Sequence, residues 1–306
     1  MSSTISGRLD RTGRPYSDAM GLVQTVGLVL HPQRDSAGAI NMITGWARGR
    51  EVTVLGLHEE VGRIACDAVA VGQAELVERA GLLVSLGGDG TMLRTMRLTE
   101  GRKTPVLGVN VGRLGFLAEI DVTDLPGALS AIDEHRYTVE PRTAVSTVLP
   151  GGTAVTAFND IALVRVPGDG LAAVGIVVEG DRFVRYAADA VIVSTPTGST
   201  AYNFSVGGPI VSPTVECLLV GAAAAHSAFN RSLLLSLDEE LALEVLPSSG
   251  RLAVEVDGIV RGHAEAGDML PIAPVPAAAR VVRLGQTTFY ERARRKLRVY
   301  GSAEVE

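Results

Sequence analysis

The sequence predicts two domains of different class, an α/β domain built on a parallel sheet followed by an all-β, sandwich-like domain. Three observations predict this. The chain has 306 residues, enough for two cores of ordinary domain size. Up to about residue 133, near-continuous apolar strands alternate with helical stretches, the pattern of a parallel sheet covered on both faces. From residue 138 onward, short β-rich segments separated by turn pairs take over. The chain therefore reads as a polar, disordered tail (1–20), an α/β domain (21–136, rejoined by 285–306) and a β-sandwich domain (137–284).

Residues 25–30 (TVGLVL) read as the first strand, closed by His31-Pro32, and Ser36 starts a helix that runs to about Ala47. Residues 51–55 form a second strand, and residues 75–80 end a second helical stretch. The third strand, 82–86, breaks into Gly87-Gly88-Asp89-Gly90-Thr91, and a helix follows from Met92 to about Leu98. A strand at 105–109 and a helix at 124–133 complete the alternation. In the second half, strands are expected at 145–149, 161–166, 174–179, 190–193, 241–246 and 252–256. Gly180-Asp181 and Asp257-Gly258 are hairpin signals. Residues 287–297 read as a basic helix that packs back on the first domain.

Composition excludes several classes. With 28 basic against 34 acidic residues there is no basic stripe for nucleic acid. No apolar run is long enough to span a membrane, and the first residues lack the apolar core of a signal peptide. Cys66 and Cys217 stand far apart with no CxxC, which argues against a disulfide framework or a cysteine-based zinc site and fits a cytoplasmic protein. The only lysines are Lys103 and Lys296, and neither follows a glycine loop, so a GxxxxGK[ST] phosphate loop is excluded. Phosphate handling must rest on backbone N–H groups, arginine and a metal. The sequence shows no dedicated metal cage.

Strand, glycine turn and helix form a way of holding phosphate. Glycine lets the backbone approach, and the helix N-terminus presents unpaired N–H groups and a partial positive charge. Gly87, Gly88, Gly90 and Thr91 are the candidate phosphate cradle. Asp89 sits among them, and a carboxylate beside phosphate points to chemistry as well as binding. The second glycine segment, 108–112 (GVNVG), also falls at a strand's carboxyl end, where ligands of parallel sheets lie.

Four stretches act together: GGDGT (87–91), GVNVGRLGFLAE (108–119), FND (158–160) and DAVIVSTPTGSTAYNFSVGGPI (189–210). With them the sequence strongly resembles the NAD kinase family of bacterial type, over about residues 25–301. The resemblance implies a phosphofructokinase-like α/β domain and a β-sandwich NAD-binding domain. It also implies an Mg²⁺-dependent phosphoryl transfer from ATP or polyphosphate to the 2′-hydroxyl of the adenosine ribose of NAD, giving NADP. Asp89 matches the family's proton acceptor. Asn159 matches the residue that holds the adenine, and Asp160 stands where glutamate is usual, one methylene short of the ribose. Asp189 matches a substrate carboxylate, although Ala190 replaces the usual glycine and should crowd the turn. Thr200, Ala201, Tyr202, Ser205 and Ala224 match the substrate segment, and Arg94, one turn into the helix after GGDGT, is placed to reach a phosphate. The resemblance further implies a homodimer or homotetramer. A lipid kinase sharing GGDGT leaves STPTGSTAY unexplained, and an inactive regulatory paralogue has only Asp160 and Ala190 in its favour.

Overall fold

The computed structural model describes residues 23–64, 66–112, 115–226 and 229–299. The expected tail at 1–20 and residues 300–306 lie outside them. The chain divides into two compact units, residues 1–141 with 279–306, and residues 142–278.

In the first unit, five parallel strands lie in the order Pro105–Asn110, Leu82–Gly87, Thr25–Leu30, Thr53–Leu57, Val69–Val71. Arg280 and Val281, at the end of the strand Met269–Arg283, pair in parallel with Pro105 and Val106. The neighbouring strands Leu82–Gly87 and Pro105–Asn110 are buried along their whole length, as a sheet covered on both faces requires. Helix Ala37–Arg48 buries Ala39, Ile40, Ile43 and Ala47 in the same core as Val84, Leu107 and Leu129. Helix Phe289–Leu297 opens with a capping box in which the Thr288 hydroxyl accepts the Glu291 N–H and the Glu291 carboxylate accepts the Thr288 N–H.

The second unit has two antiparallel sheets. One contains Leu233–Ser236, Cys217–Ala223, Ala190–Ser194, Asp160–Arg165, Leu252–Val256 and Ile259–Ala264, in that order. The other pairs Asp181–Ala188 with Ala172–Val178, Leu241–Val245 and the start of Met269–Arg283. Inward residues of both, such as Val174, Ile176 and Leu243 against Leu163, Val193 and Val220, share one core, so the sheets pack face to face. The hairpin at Asp257-Gly258 has positive φ at both residues, 48° and 74°. The other hairpin turns one residue earlier than expected. Glu179 and Gly180 carry the positive φ values, and Asp181 already begins the next strand.

Ala190 corrects a sequence expectation. It lies in strand Ala190–Ser194 rather than in a turn, and its methyl is fully buried beside Ala162 and Ile192. It fills a small core of the sheet.

Candidate active site

In the first unit the glycine segments fall at the carboxyl ends of the neighbouring strands Leu82–Gly87 and Pro105–Asn110. Gly88 adopts an extended conformation at the N-cap, so the helix begins at Asp89, three residues earlier than the sequence reading. Asp89 is therefore the first helical residue, not a residue of the turn. No side chain caps this helix, and its first N–H groups face outward unpaired by the helix itself. The Asp89 carboxylate accepts two backbone N–H bonds, from Phe116 at 3.1 Å and from Leu117 at 3.0 Å. These fix its plane and leave lone pairs free. Gly115 permits the approach, because a Cβ there would overlap the Asp89 carboxylate.

A cleft of about 410 Å³ opens here, lined by Gly88, Asp89, Gly90 and Thr91 together with His31, Pro32, Arg34 and Arg94. Arg94 reaches back rather than outward. Its guanidinium pairs with the buried Glu60 carboxylate at 2.5 Å and donates to the Leu30 carbonyl at 2.6 Å. Burial, with Arg34 and Arg94 nearby, pushes the His31 imidazole below its usual value.

The segment that orients Asp89 has its own support. Glu119 is fully buried and accepts from Arg283 at 2.6 Å, from Arg292 at 3.1 Å and from the Leu284 N–H at 2.9 Å. Lys296 lies 5.5 Å from the Phe116 ring centroid, within cation–π range. All four of these groups come from the last described stretch of chain. Glu119 closes the 108–119 motif, and nothing near it in sequence signals these distant partners.

In the second unit, two of the motif stretches are knitted together. The Thr195 hydroxyl donates to the Phe158 carbonyl at 2.6 Å, and the Thr195 N–H donates to the Asn159 carbonyl at 2.9 Å. Gly198 lies directly on the Asn159 backbone, leaving no room for a Cβ. One carboxylate, Asp257, accepts the N–H groups of Phe158 (3.2 Å), Asn159 (2.7 Å) and Asp160 (3.3 Å). Asp257 read only as a hairpin residue in the sequence; the signal, an Asp-Gly pair, is the same whether or not its carboxylate reaches across the sheet.

Asp160 is 3% exposed. Burial first, then the Asp257 and Glu255 carboxylates, raise it from its ordinary 3.8 to about 7, against a Tyr202 N–H bond that pulls it down. Burial, with Glu255, Asp160 and Asp189 around it, also pushes the Tyr202 phenol up. The fold thus gathers Asp160, Asp189 and Tyr202 into one acidic neighbourhood. Asp189 is half-exposed and pairs with Arg165 at 2.5 Å. Thr200, Ala201 and Tyr202 are partly exposed, Ser205 and Ala224 exposed, and Ala224 takes an unusual φ of 49°. Ser199 is committed elsewhere, exchanging hydrogen bonds with the Val211 backbone at 3.1 and 3.0 Å.

A glycine turn feeding a helix N-terminus on a parallel sheet, with an oriented carboxylate in its first turn, marks the phosphotransferase class, here carried on the same chain as a β-sandwich. The ATP-NAD kinase N-terminal domain matches residues 26–137, and the ATP-NAD kinase C-terminal domain matches residues 158–284. NAD kinase 1 of Streptomyces avermitilis is 38% identical, covering 90% of this chain and 87% of that protein. The NAD kinase of Desulforamulus reducens is 33% identical, covering 90% and 98%. Among solved structures, yeast NADH kinase complexed with NADH superposes with a TM-score of 0.80 at 25% identity, over 92% of this chain and 89% of that one. An NAD kinase from Archaeoglobus fulgidus in complex with ATP shares the fold, with a TM-score of 0.70 at 24% identity over 90% of this chain and all of that one. The chain belongs to the ATP-NAD kinase family.

Proposed function

We propose that this protein transfers the γ-phosphoryl group of ATP to the 2′-hydroxyl of the adenosine ribose of NAD, giving NADP and ADP. The observation that carries the proposal is the Asp89 carboxylate, oriented by the Phe116 and Leu117 N–H groups at the start of an uncapped helix. The ribose oxygen forms the new bond to phosphorus as the bond to the ADP oxygen breaks, and Asp89 takes the hydroxyl proton. Gly87, Gly88, Gly90 and Thr91 offer backbone N–H groups to the phosphates.

In the second unit, the Asn159 amide pairs with the adenine edge, and Asp160 and Asp189 meet ribose hydroxyls. Asp160, holding a proton near neutrality, donates as well as accepts. Tyr202 offers a ring face for stacking, and Thr200, Ala201, Ser205 and Ala224 line the substrate segment.

Mg²⁺ enters with the donor. No group of three or more metal-ligating side chains occurs among the described residues. One carboxylate in the phosphate cleft, Asp89, suits a metal carried mainly by phosphate oxygens. When bound, the metal neutralises charge on the phosphates. Polyphosphate fits the same cradle, because backbone N–H groups do not read a base.

A homodimer or homotetramer is supported by exposed apolar side chains of the β-sandwich, Phe183 and Leu234, each 60% exposed. A cytoplasmic location is supported by the two free cysteines. Among the described residues no helix is long and apolar enough to cross a membrane.

The test is an assay of NADP formation from NAD with ATP, other triphosphates and polyphosphate, each with Mg²⁺. NADP, carrying the newly transferred phosphate on the 2′ oxygen, is expected. NAD binding without NADP formation would overturn the proposal.

A further inference from the structure

We infer that Arg34 is the cation that holds the donor's phosphate chain, closing the two glycine turns around it. The inference rests on the kinase reading above and adds a residue that the motifs do not contain.

Arg34 follows the first strand in a loop that is fixed in place. The His31 Nδ1 accepts the N–H groups of Gln33 and Arg34, both at 3.1 Å. The Arg34 guanidinium donates through Nη1 to the Val111 carbonyl at 2.5 Å. It occupies the notch that two glycines leave. A Cβ on Gly112 would lie 2.9 Å from Nη1 and 3.1 Å from Cζ, and a Cβ on Gly88 would lie 3.4 Å from Nη1. Gly88 belongs to the first glycine turn and Gly112 to the second, so one side chain bridges both. The same side chain lines the cleft beside Gly88, Gly90 and Thr91.

The charge count singles it out. Arg94, the other arginine of the cleft, is neutralised by Glu60 and spends a further N–H on Leu30. No carboxylate pairs with Arg34 among the described residues. The chain has only two lysines, and Lys296 is placed over Phe116. A guanidinium carries five N–H donors in a planar fork. With one given to Val111, the rest remain for phosphate oxygens, which such a fork grips in bidentate fashion. Arg34 thus supplies the positive charge that a P-loop takes from lysine, and it does so only while both turns stand in their present places.

The experiment compares wild type with Arg34→Met, which keeps much of the stem and loses the charge, and with Arg34→Lys. KM is measured for ATP at saturating NAD and for NAD at saturating ATP. Inorganic tripolyphosphate is titrated as an inhibitor competing with ATP. Charged hydrogen bonds of this kind predict that Arg34→Met raises KM for ATP and Ki for tripolyphosphate about 10- to 100-fold. KM for NAD should stay within about twofold, and Arg34→Lys, which keeps the charge but loses the fork, should fall between wild type and Arg34→Met in both ATP KM and tripolyphosphate Ki. Equal rises in both KM values with an unchanged tripolyphosphate Ki would overturn the inference, leaving Arg34 as a staple for the Val111 carbonyl. Should Arg34→Met fail to fold, Arg34→Lys decides by the same split, since loss of the fork must weaken tripolyphosphate before it touches NAD. A wild-type protein that makes no NADP would refute the kinase reading separately, while direct tripolyphosphate binding still reports on Arg34.

Discussion

Replacing Asp160 by asparagine should remove the pH dependence that this one buried carboxyl imposes on the fold. In the native protein its pKa stands at about 7, against 3.8 when unfolded. Between these values the native state keeps a proton that the unfolded chain has released. The unfolded state then binds fewer protons, so the Asp160 contribution to stability falls as pH rises. It is complete below about pH 4, declines across the window, and is lost above about pH 7. At about 1.4 kcal/mol per pH unit, the ceiling is about 4 kcal/mol, and relaxation around Asp257 and Glu255 will reduce it. Asparagine keeps the size and an oxygen for the Tyr202 N–H but cannot ionise. Urea unfolding of both proteins from about pH 5 to pH 8 tests this. The stability of Asp160→Asn relative to wild type should climb by about 1 kcal/mol per pH unit across the window and level off above it. Histidine titrations common to both proteins cancel in the difference. A difference that is flat with pH would refute the reasoning, because Asp160 would then be ionised in the native state like any surface carboxylate.

Asp89→Asn should lower kcat for NADP formation by about 10²- to 10⁴-fold while NAD affinity stays within about tenfold, read by steady-state kinetics and NAD titration. Gly115→Ala should act through the same carboxylate, since the added methyl displaces Asp89; kcat should fall with little change in NAD binding, and full activity would refute the close approach. Glu119→Ala strands the buried Arg292 and leaves Arg283 only the Glu140 carboxylate 3.6 Å away, and should cost about 3–5 kcal/mol in urea unfolding. Tyr202→Ala should raise KM for NAD about tenfold with kcat little changed, if its ring stacks on the substrate.

The division of labour along the chain was legible because it is written in short-range periodicity. Buried parallel strands such as Leu82–Gly87 read as continuous apolar runs, and exposed-faced ones such as Leu252–Val256 alternate. The motif residues were legible for a related reason: GGDGT and STPTGSTAY are local backbone devices whose glycines, proline and hydroxyls sit within a few positions of one another. What the sequence hid is what crosses it. Asp89 takes its N–H bonds from residues 27 and 28 positions away, and Asp257 caps a turn almost a hundred residues back. Arg94 illustrates the limit from the other side. Its helical position pointed toward phosphate, yet the buried Glu60 claims it, and no spacing rule links the two. The helix start moved from Met92 to Asp89 because an extended Gly88 is enough to begin the helix at once.

The groups that hold Glu119 come from Arg283, Leu284 and Arg292, and the sheet's Pro105 neighbour is Arg280. During translation, then, GGDGT emerges long before the residues that hold Glu119, which lies two residues beyond the N–H groups that orient Asp89. A nascent chain carrying the whole phosphate motif lacks the partners of Glu119 until the segment near residue 292 clears the ribosome.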